Sequence, residues 1–210
     1  MAQPSPGLRA ERRRLRKARN AIEAANRRDA ENLVVHKLLQ LGIGRRGRRL
    51  AIYFAMPGEL RLDGLTELAP QLGVTLYAPR IVSMRRRRMV FEPVSGARLR
   101  ANSFGIVEPS DRASRQTGIL SFDSIVVPML GFDRRGNRLG MGAGFYDRAL
   151  QIRKRRERRW RRPRLIGVAF SCQEVDSITA SPWDVAMDLV VTEREIIEPN
   201  RSTHHEETRQ

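Results

Sequence analysis

A single cysteine, Cys172, gives this chain of 210 residues no partner for an internal disulfide, so its stability must come from a packed core. Cys172 itself reads as a small residue buried at a strand end. Histidine is nearly as scarce. His36 stands in an early helical stretch and His204 and His205 in a polar tail, outside every motif, which argues against Ser-His-Asp or Cys-His hydrolase chemistry. The tail histidines alone supply too few ligands for a metal. No apolar run approaches the roughly 20 residues of a membrane span, and the first seven residues lead into charge rather than an apolar signal core, so the expected address is the cytoplasm. Lysine is the third scarcity: only Lys17, Lys37 and Lys154 stand among 40 basic residues, and the rest are arginine.

Acidic residues number 23 against those 40, for a net charge of +17. Such a surface attracts nucleotides, polyglutamate chains, nucleic acid or anionic lipid without choosing among them. With 40% hydrophobic and 30% charged residues, the composition describes a core under a charged surface rather than disorder. The length suits one domain. We place it over residues 10–197, between a loose N-terminus, 1–9, and a flexible polar tail, 198–210.

Residues 8–41 are rich in Ala, Arg, Glu and Leu without proline and have helical spacing, which predicts two helices with a break near residues 26–29. A buried strand is expected at 49–54 (RLAIYF), a turn at Pro57 and Gly58, a helix over 59–72 and a second strand at 74–79, forming a βαβ unit. Runs at 89–91, 124–130, 165–170 and 189–192 read as further strands, with a helix over about 144–159. Strands that alternate with helices and lack strict period-two polarity predict an α/β fold with a mainly parallel sheet covered by helices on both faces. The arginine-rich run 153–164 (RKRRERRWRRPR) reads as a solvated face continuing the last helix.

The richest segment is 123–148, DSIVVPMLGFDRRGNRLGMGAGFYDR, in which a strand enters a loop holding Gly136, Gly140, Gly142 and Gly144 and the loop feeds a helix. Glycines let backbone N–H groups converge on an anion, and the following helix adds unpaired donors and a favourable dipole. The spacing is neither GxGxxG nor a P-loop, so the glycines alone are a weak signal. Their company sharpens it: Arg138 offers a forked donor, Tyr146 an aromatic face, and Asp147 a carboxylate at the helix start.

These residues resemble the 5-formyltetrahydrofolate cyclo-ligase family, whose hallmark stands here as VPMLGFDRRGNRLGMGAGFYDR, with Phe145 in place of the more usual tyrosine and Met129 where many members have glycine. The resemblance runs over roughly residues 10–195. It implies a three-layer Rossmann-like fold and ATP contacts at Arg12 and Arg16 in RRRLRKAR, at Arg138 and along Leu139, Gly140, Met141, Gly142, Ala143, Gly144, Phe145 and Tyr146. In IYFAMPGEL it implies that Phe54 lines the pteridine and Glu59 is a polar folate contact, with Tyr146 shared between the two ligands. From GVAFSCQEVDSITASPWDVAMDLVVTE it pairs Asp184 with Asp147 as carboxylates for Mg²⁺, with Asp188 a neighbouring competitor and Gln173 a residue that bonds a loop.

The activity implied is ATP-dependent closure of 5-formyltetrahydrofolate, polyglutamylated or not, to 5,10-methenyltetrahydrofolate, with ADP and phosphate released. The formyl oxygen attacks the γ-phosphate, and N10 then attacks the formyl carbon as phosphate leaves. The resemblance leaves a monomer and a small homo-oligomer both open. Two other readings carry weight: a nucleic-acid-binding protein, motivated by the charge and by residues 153–164 around Trp160, and a folate- or nucleotide-binding relative without catalysis. Retention of Arg138, Asp147 and Asp184 favours catalysis. Run 153–164 is also the expected contact for a polyglutamate tail or for incidental RNA.

Overall fold

Two helices that serve different clusters open the chain in the computed structural model, which describes residues 6–94, 98–102, 105, 107–109, 117–154 and 162–199. Helix α1 (Pro6–Asn20) starts before the residue 10 boundary and buries Leu15 against Leu130 and Leu139. Helix α2 (Ala24–Gln40) lays Ala30, Val34, Val35 and Leu38 on the main core. One straight helix could not reach both clusters, and the break falls at residues 21–23 rather than 26–29, where Ile22 packs against the main core.

Strand β1 (Arg49–Ala51) follows, then a loop, then helix α3 (Asp63–Leu68). That helix is shorter than the expected 59–72, because Leu60 and Leu62 are buried from the loop and Tyr53 Oη donates to Leu60 O at 2.6 Å. Strand β2 (Thr75–Ser83) turns back antiparallel through β3 (Arg88–Pro93). Strands β4 (Leu99–Ala101) and β5 (Val107–Pro109) form a small hairpin. Strand β6 (Ser124–Pro128) leads to a second hairpin, β7 (Gly131–Phe132) with β8 (Arg138–Leu139), and to helix α4 (Phe145–Lys154). Strands β9 (Arg164–Val168), β10 (Leu189–Val191) and β11 (Ile196–Ile197) complete the chain.

The main sheet has seven strands in the order β11-β10-β9-β6-β1-β2-β3. Strands β10, β9, β6, β1 and β2 run parallel, and antiparallel β11 and β3 close the edges. Successive residues divide between two cores. Val126, Ile166, Val168, Leu189 and Val191 face the cluster under α2 and α3, whereas Ile125, Val127, Leu165 and Val190 face the cluster holding Leu150 of α4. This is the expected three-layer α/β architecture, with strands apolar on both faces because both are covered. The chain leaves β1 toward β2 and leaves β6 toward β9, so a crevice opens at the carboxyl ends of β1 and β6.

Cys172 is exposed, not buried. It lies in a 3-10 turn, Ser171–Gln173, that turns Gln173 inward instead. Gln173 Nε2 donates to Met129 O at 2.8 Å and Leu130 O at 2.9 Å, and its Oε1 accepts from Phe170 N at 2.9 Å. Arg153 also departs from the solvated reading of run 153–164. It is buried, with Nη2 on both carboxylate oxygens of Asp188 at 2.8 and 2.7 Å. Residues 155–161 of that run, residues 1–5, and residues 200–210 with the paired histidines lie outside the described residues. Among the described residues no helix is long and apolar enough to cross a membrane.

The β7–β8 hairpin is organised by Asp133, which is fully buried. Its Oδ1 accepts from the N–H groups of Arg135 and Asn137, each at 3.0 Å, and its Oδ2 from Asn137 Nδ2 and Ile178 N, each at 2.9 Å. One carboxylate therefore closes the turn and ties it to the segment that carries Asp184. Asp133→Ala strands these donors and should destabilise the protein by about 3 kcal/mol, read as a lower urea midpoint at unchanged m-value.

Candidate functional site

The hairpin tied by Asp133 delivers a loop, residues 140–144, to the crevice at the carboxyl ends of β1 and β6. Gly142 (φ 102°) and Gly144 (φ 71°) take left-handed backbone there, which side-chain-bearing residues adopt only with strain. Helix α4 begins at once with Phe145, and Arg148 N bonds Gly144 O at 3.2 Å. The first-turn N–H groups of α4 thus open toward the loop.

The loop forms one wall of a cleft of about 860 Å³. Phe54, Glu59, Arg12, Arg138, every residue from Leu139 to Tyr146, Asp147 and Asp184 line it. Arg16, one helical turn after Arg12, is exposed and is not part of the lining. Asp188 is not part of it either. Besides Arg153 it accepts from Leu165 N at 2.8 Å, and it lines a second cavity at the amino ends of the strands, together with Arg48, Arg49, Asp123, Arg162 and Arg164. The described ends of the arginine-rich run therefore sit at the opposite end of the sheet from the cleft.

Arginines gather on the loop. Arg12 Nε donates to Gly140 O at 3.1 Å. A Cβ placed on Gly142 would stand 3.5 Å from Arg12 Nη1, one on Gly140 would stand 3.7 Å from Arg138 Nη1, and one on Gly144 would stand 3.2 Å from Arg87 Nη1. Arg138 is almost fully buried and pairs with Asp147. Its Nε and the Tyr146 hydroxyl are buried without a hydrogen-bond partner among the described residues, and the guanidinium lies 5.9 Å from the Tyr146 ring centroid. Burial, with Glu59 adding to it, pushes the Tyr146 hydroxyl pKa up, so it stays a donor at neutral pH. Buried polar atoms left unsatisfied at a cleft are ones a ligand can satisfy.

At the β1 side of the cleft Glu59 accepts from Met56 N at 3.0 Å. Burial raises its carboxyl pKa, against the opposing pulls of that N–H and of Arg19. Arg19 is itself 2% exposed, its pKa lowered by burial and supported by Glu59. Asp184 Oδ2 accepts from Ser181 N at 2.8 Å. Met84, Met141 and Trp183 line the cleft with 46%, 41% and 58% of their surface exposed, an apolar rim suited to planar rings. Met129 fills the space above Gly167, where a Cβ would stand 2.5 Å from its sulfur.

Among the described residues no group of three His, Cys, Asp or Glu side chains could hold a metal. The cleft offers oxygen donors from two aspartates, Asp147 and Asp184. That set fits a hard cation that keeps water and ligand oxygens, and does not fit zinc. Sequence reasoning did not single out Arg87, Arg19, Tyr53 or Asp133. The first two stand within arginine runs whose members are indistinguishable without the fold.

A family model described as the 5-formyltetrahydrofolate cyclo-ligase family matches residues 5–193. A 5-formyltetrahydrofolate cyclo-ligase of Haemophilus influenzae is 30% identical over 181 residues, covering 84% of this chain and 93% of its own. The structure of 5,10-methenyltetrahydrofolate synthetase from Aquifex aeolicus superposes with a TM-score of 0.76 at 26% identity, covering 97% of this chain and 99% of that one. The synthetase of Mycoplasma pneumoniae, at 22% identity and a TM-score of 0.68 over 89% of this chain and 98% of that one, shares the fold.

The raised pKa of Glu59 carries a sign. The folded carboxyl holds its proton above the ordinary value of 4.5, so the native state binds more protons than the unfolded one just above that pH. Stability then falls as pH rises through this window. Glu59→Gln removes the titration, and the stability of E59Q relative to wild type should climb as pH rises above the ordinary carboxyl value of 4.5, as measured by urea denaturation at each pH.

Proposed function

Because the chain belongs to the 5-formyltetrahydrofolate cyclo-ligase family, we propose that it closes 5-formyltetrahydrofolate to 5,10-methenyltetrahydrofolate with ATP and Mg²⁺, releasing ADP and phosphate. One observation carries this reading beyond the family name: the glycine loop, its arginines and the two aspartates share a single cleft with Phe54, Glu59 and Tyr146. A phosphate site and a ring-binding site are thereby contiguous.

A formamide carbonyl is a poor electrophile and its oxygen a poor leaving group. In the proposed reaction the formyl oxygen attacks the γ-phosphorus and the bond to the β-phosphate oxygen breaks, releasing ADP. N10 of the same folate then attacks the former formyl carbon, the carbon–oxygen bond breaks, and phosphate departs with the proton that N10 loses. Loop amides at 140–144 with Arg12 and Arg138 hold the phosphates and offset the charge that grows on the leaving oxygens. Phe54 and Tyr146 pack the pteridine, and Glu59 accepts from its N–H groups. Asp147 and Asp184 would hold Mg²⁺ with phosphate oxygens and water, and the ion would neutralise phosphate charge. No protein nucleophile is required, which agrees with a described lining free of cysteine and histidine.

The test mixes protein, 5-formyltetrahydrofolate, ATP and Mg²⁺ and follows methenyltetrahydrofolate by its near-ultraviolet absorbance. Product should require all three ligands, and ADP should form only when folate is present. Asp147→Asn should lose about 10²–10³-fold in kcat with an unchanged circular dichroism spectrum. Folded wild-type protein that binds folate but yields neither product nor ADP would overturn the proposal in favour of a non-catalytic binder.

A further inference from the structure

The three guanidinium groups beside the glycine loop come from three elements, and one stands on backbone that arginine adopts at a cost. Arg87 ends the turn between β2 and β3 at φ 47°, the one positive φ outside glycine among the described residues. Left-handed backbone brings a Cβ close to the carbonyl oxygen, a cost glycine avoids. From this position the side chain reaches the glycine loop. A Cβ on Gly144 would lie 3.2 Å from Arg87 Nη1 and 3.6 Å from its Cδ.

Arg138, Arg12 and Arg87 thus pack on Gly140, Gly142 and Gly144, alternate residues of one short loop. The three guanidinium groups stand along one side of the loop, with Arg138 paired to Asp147. A multiply charged anion entering among them can take charge-assisted hydrogen bonds from each guanidinium. The segment Met84 to Met89, which is the turn and the first two residues of β3, contains four arginines in a row. Arg85, Arg86 and Arg88 are exposed and lie outside the cleft lining, whereas Arg87 is half-buried and lines it beside Met84 and Met89. Backbone strain confined to the one member of the run that faces the site is the pattern of a residue retained for function.

We propose that Arg87 binds the polyphosphate of ATP, delivered by the β2–β3 turn as a third cation beside Arg12 and Arg138; this rests on the nucleotide-dependent reading above. The test separates that role from a structural one, because Arg87→Gly keeps the left-handed turn and removes only the guanidinium. Binding of ATP, and separately of inorganic tripolyphosphate, is measured by calorimetry without folate on wild type, R87G, R87K and R86G. R87G should lose about 10- to 100-fold in affinity for both probes, R87K should recover part of it, and R86G should match wild type. The thermal midpoint of R87G should equal or exceed that of wild type, which a merely packing role would not produce. R87G affinities within about twofold of wild type, or an equal loss in R86G, would overturn the proposal. Wild-type protein that binds both probes yet forms no methenyltetrahydrofolate would sink the cyclo-ligase reading while leaving Arg87 as a polyphosphate ligand.

Discussion

A buried carboxylate that must be satisfied holds the working parts of this molecule in register. Asp133 has no access to water, and its oxygens are met by three backbone N–H groups and the Asn137 amide. Two of those N–H groups belong to its own turn and the third to Ile178, so one side chain sets the hairpin that launches the glycine loop and anchors the strand-to-strand segment bearing Asp184. Gln173 acts in parallel from below, bonding Met129 O and Leu130 O just after β6. Losing either would leave polar groups buried without partners, which is costlier than never burying them. These two residues fix the backbone just after β6 and through the β7–β8 turn that leads to the glycine loop.

Charge is the second organising quantity. A surplus of +17 spread evenly would make a sticky surface and little else. Instead, several arginines are consumed internally: Arg153 by Asp188, Arg80 by buried Glu92, Arg48 and Arg162 by Asp123. Cation–π contacts of Arg27 with Phe170 and Arg49 with Tyr77 use others. Arg12, Arg87 and Arg138 meet at the glycine loop, on one wall of a cleft that Glu11, Glu59, Glu108, Asp147 and Asp184 also line. Fixed donors serve catalysis because they need no reorganisation as charge moves onto phosphate oxygens.

Much of the fold was legible in the chain. Apolar runs at 124–130, 165–170 and 189–192 overlap the buried strands β6, β9 and β10, which end one or two residues earlier, and their lack of alternation follows from a parallel sheet covered on both faces. The glycine-rich segment was legible as well, since φ values of 102° and 71° at Gly142 and Gly144 are needs that only glycine meets without strain. Less was visible where local pattern and tertiary demand disagree. Residues 59–72 have helical spacing, yet Leu60 and Leu62 serve the core from a loop. The α1–α2 break follows the docking of Ile22 and not the polar stretch at 26–29. Cys172 reads as buried by residue type, but the turn it occupies spends its inward position on Gln173.

By itself the sequence determined the layering, the parallel sheet and the loop, because periodicity and glycine placement are local consequences of backbone sterics and of apolar burial. It also carried the family motif. Only the tertiary structure decided which of forty basic residues face the cleft, that Arg16 and Asp188 do not, and that Arg87 does. The reason is physical. Arginines within a run such as residues 85–88 are chemically identical, and what distinguishes them is a direction in space, set by a turn whose geometry depends on the strands it joins and the loop it meets.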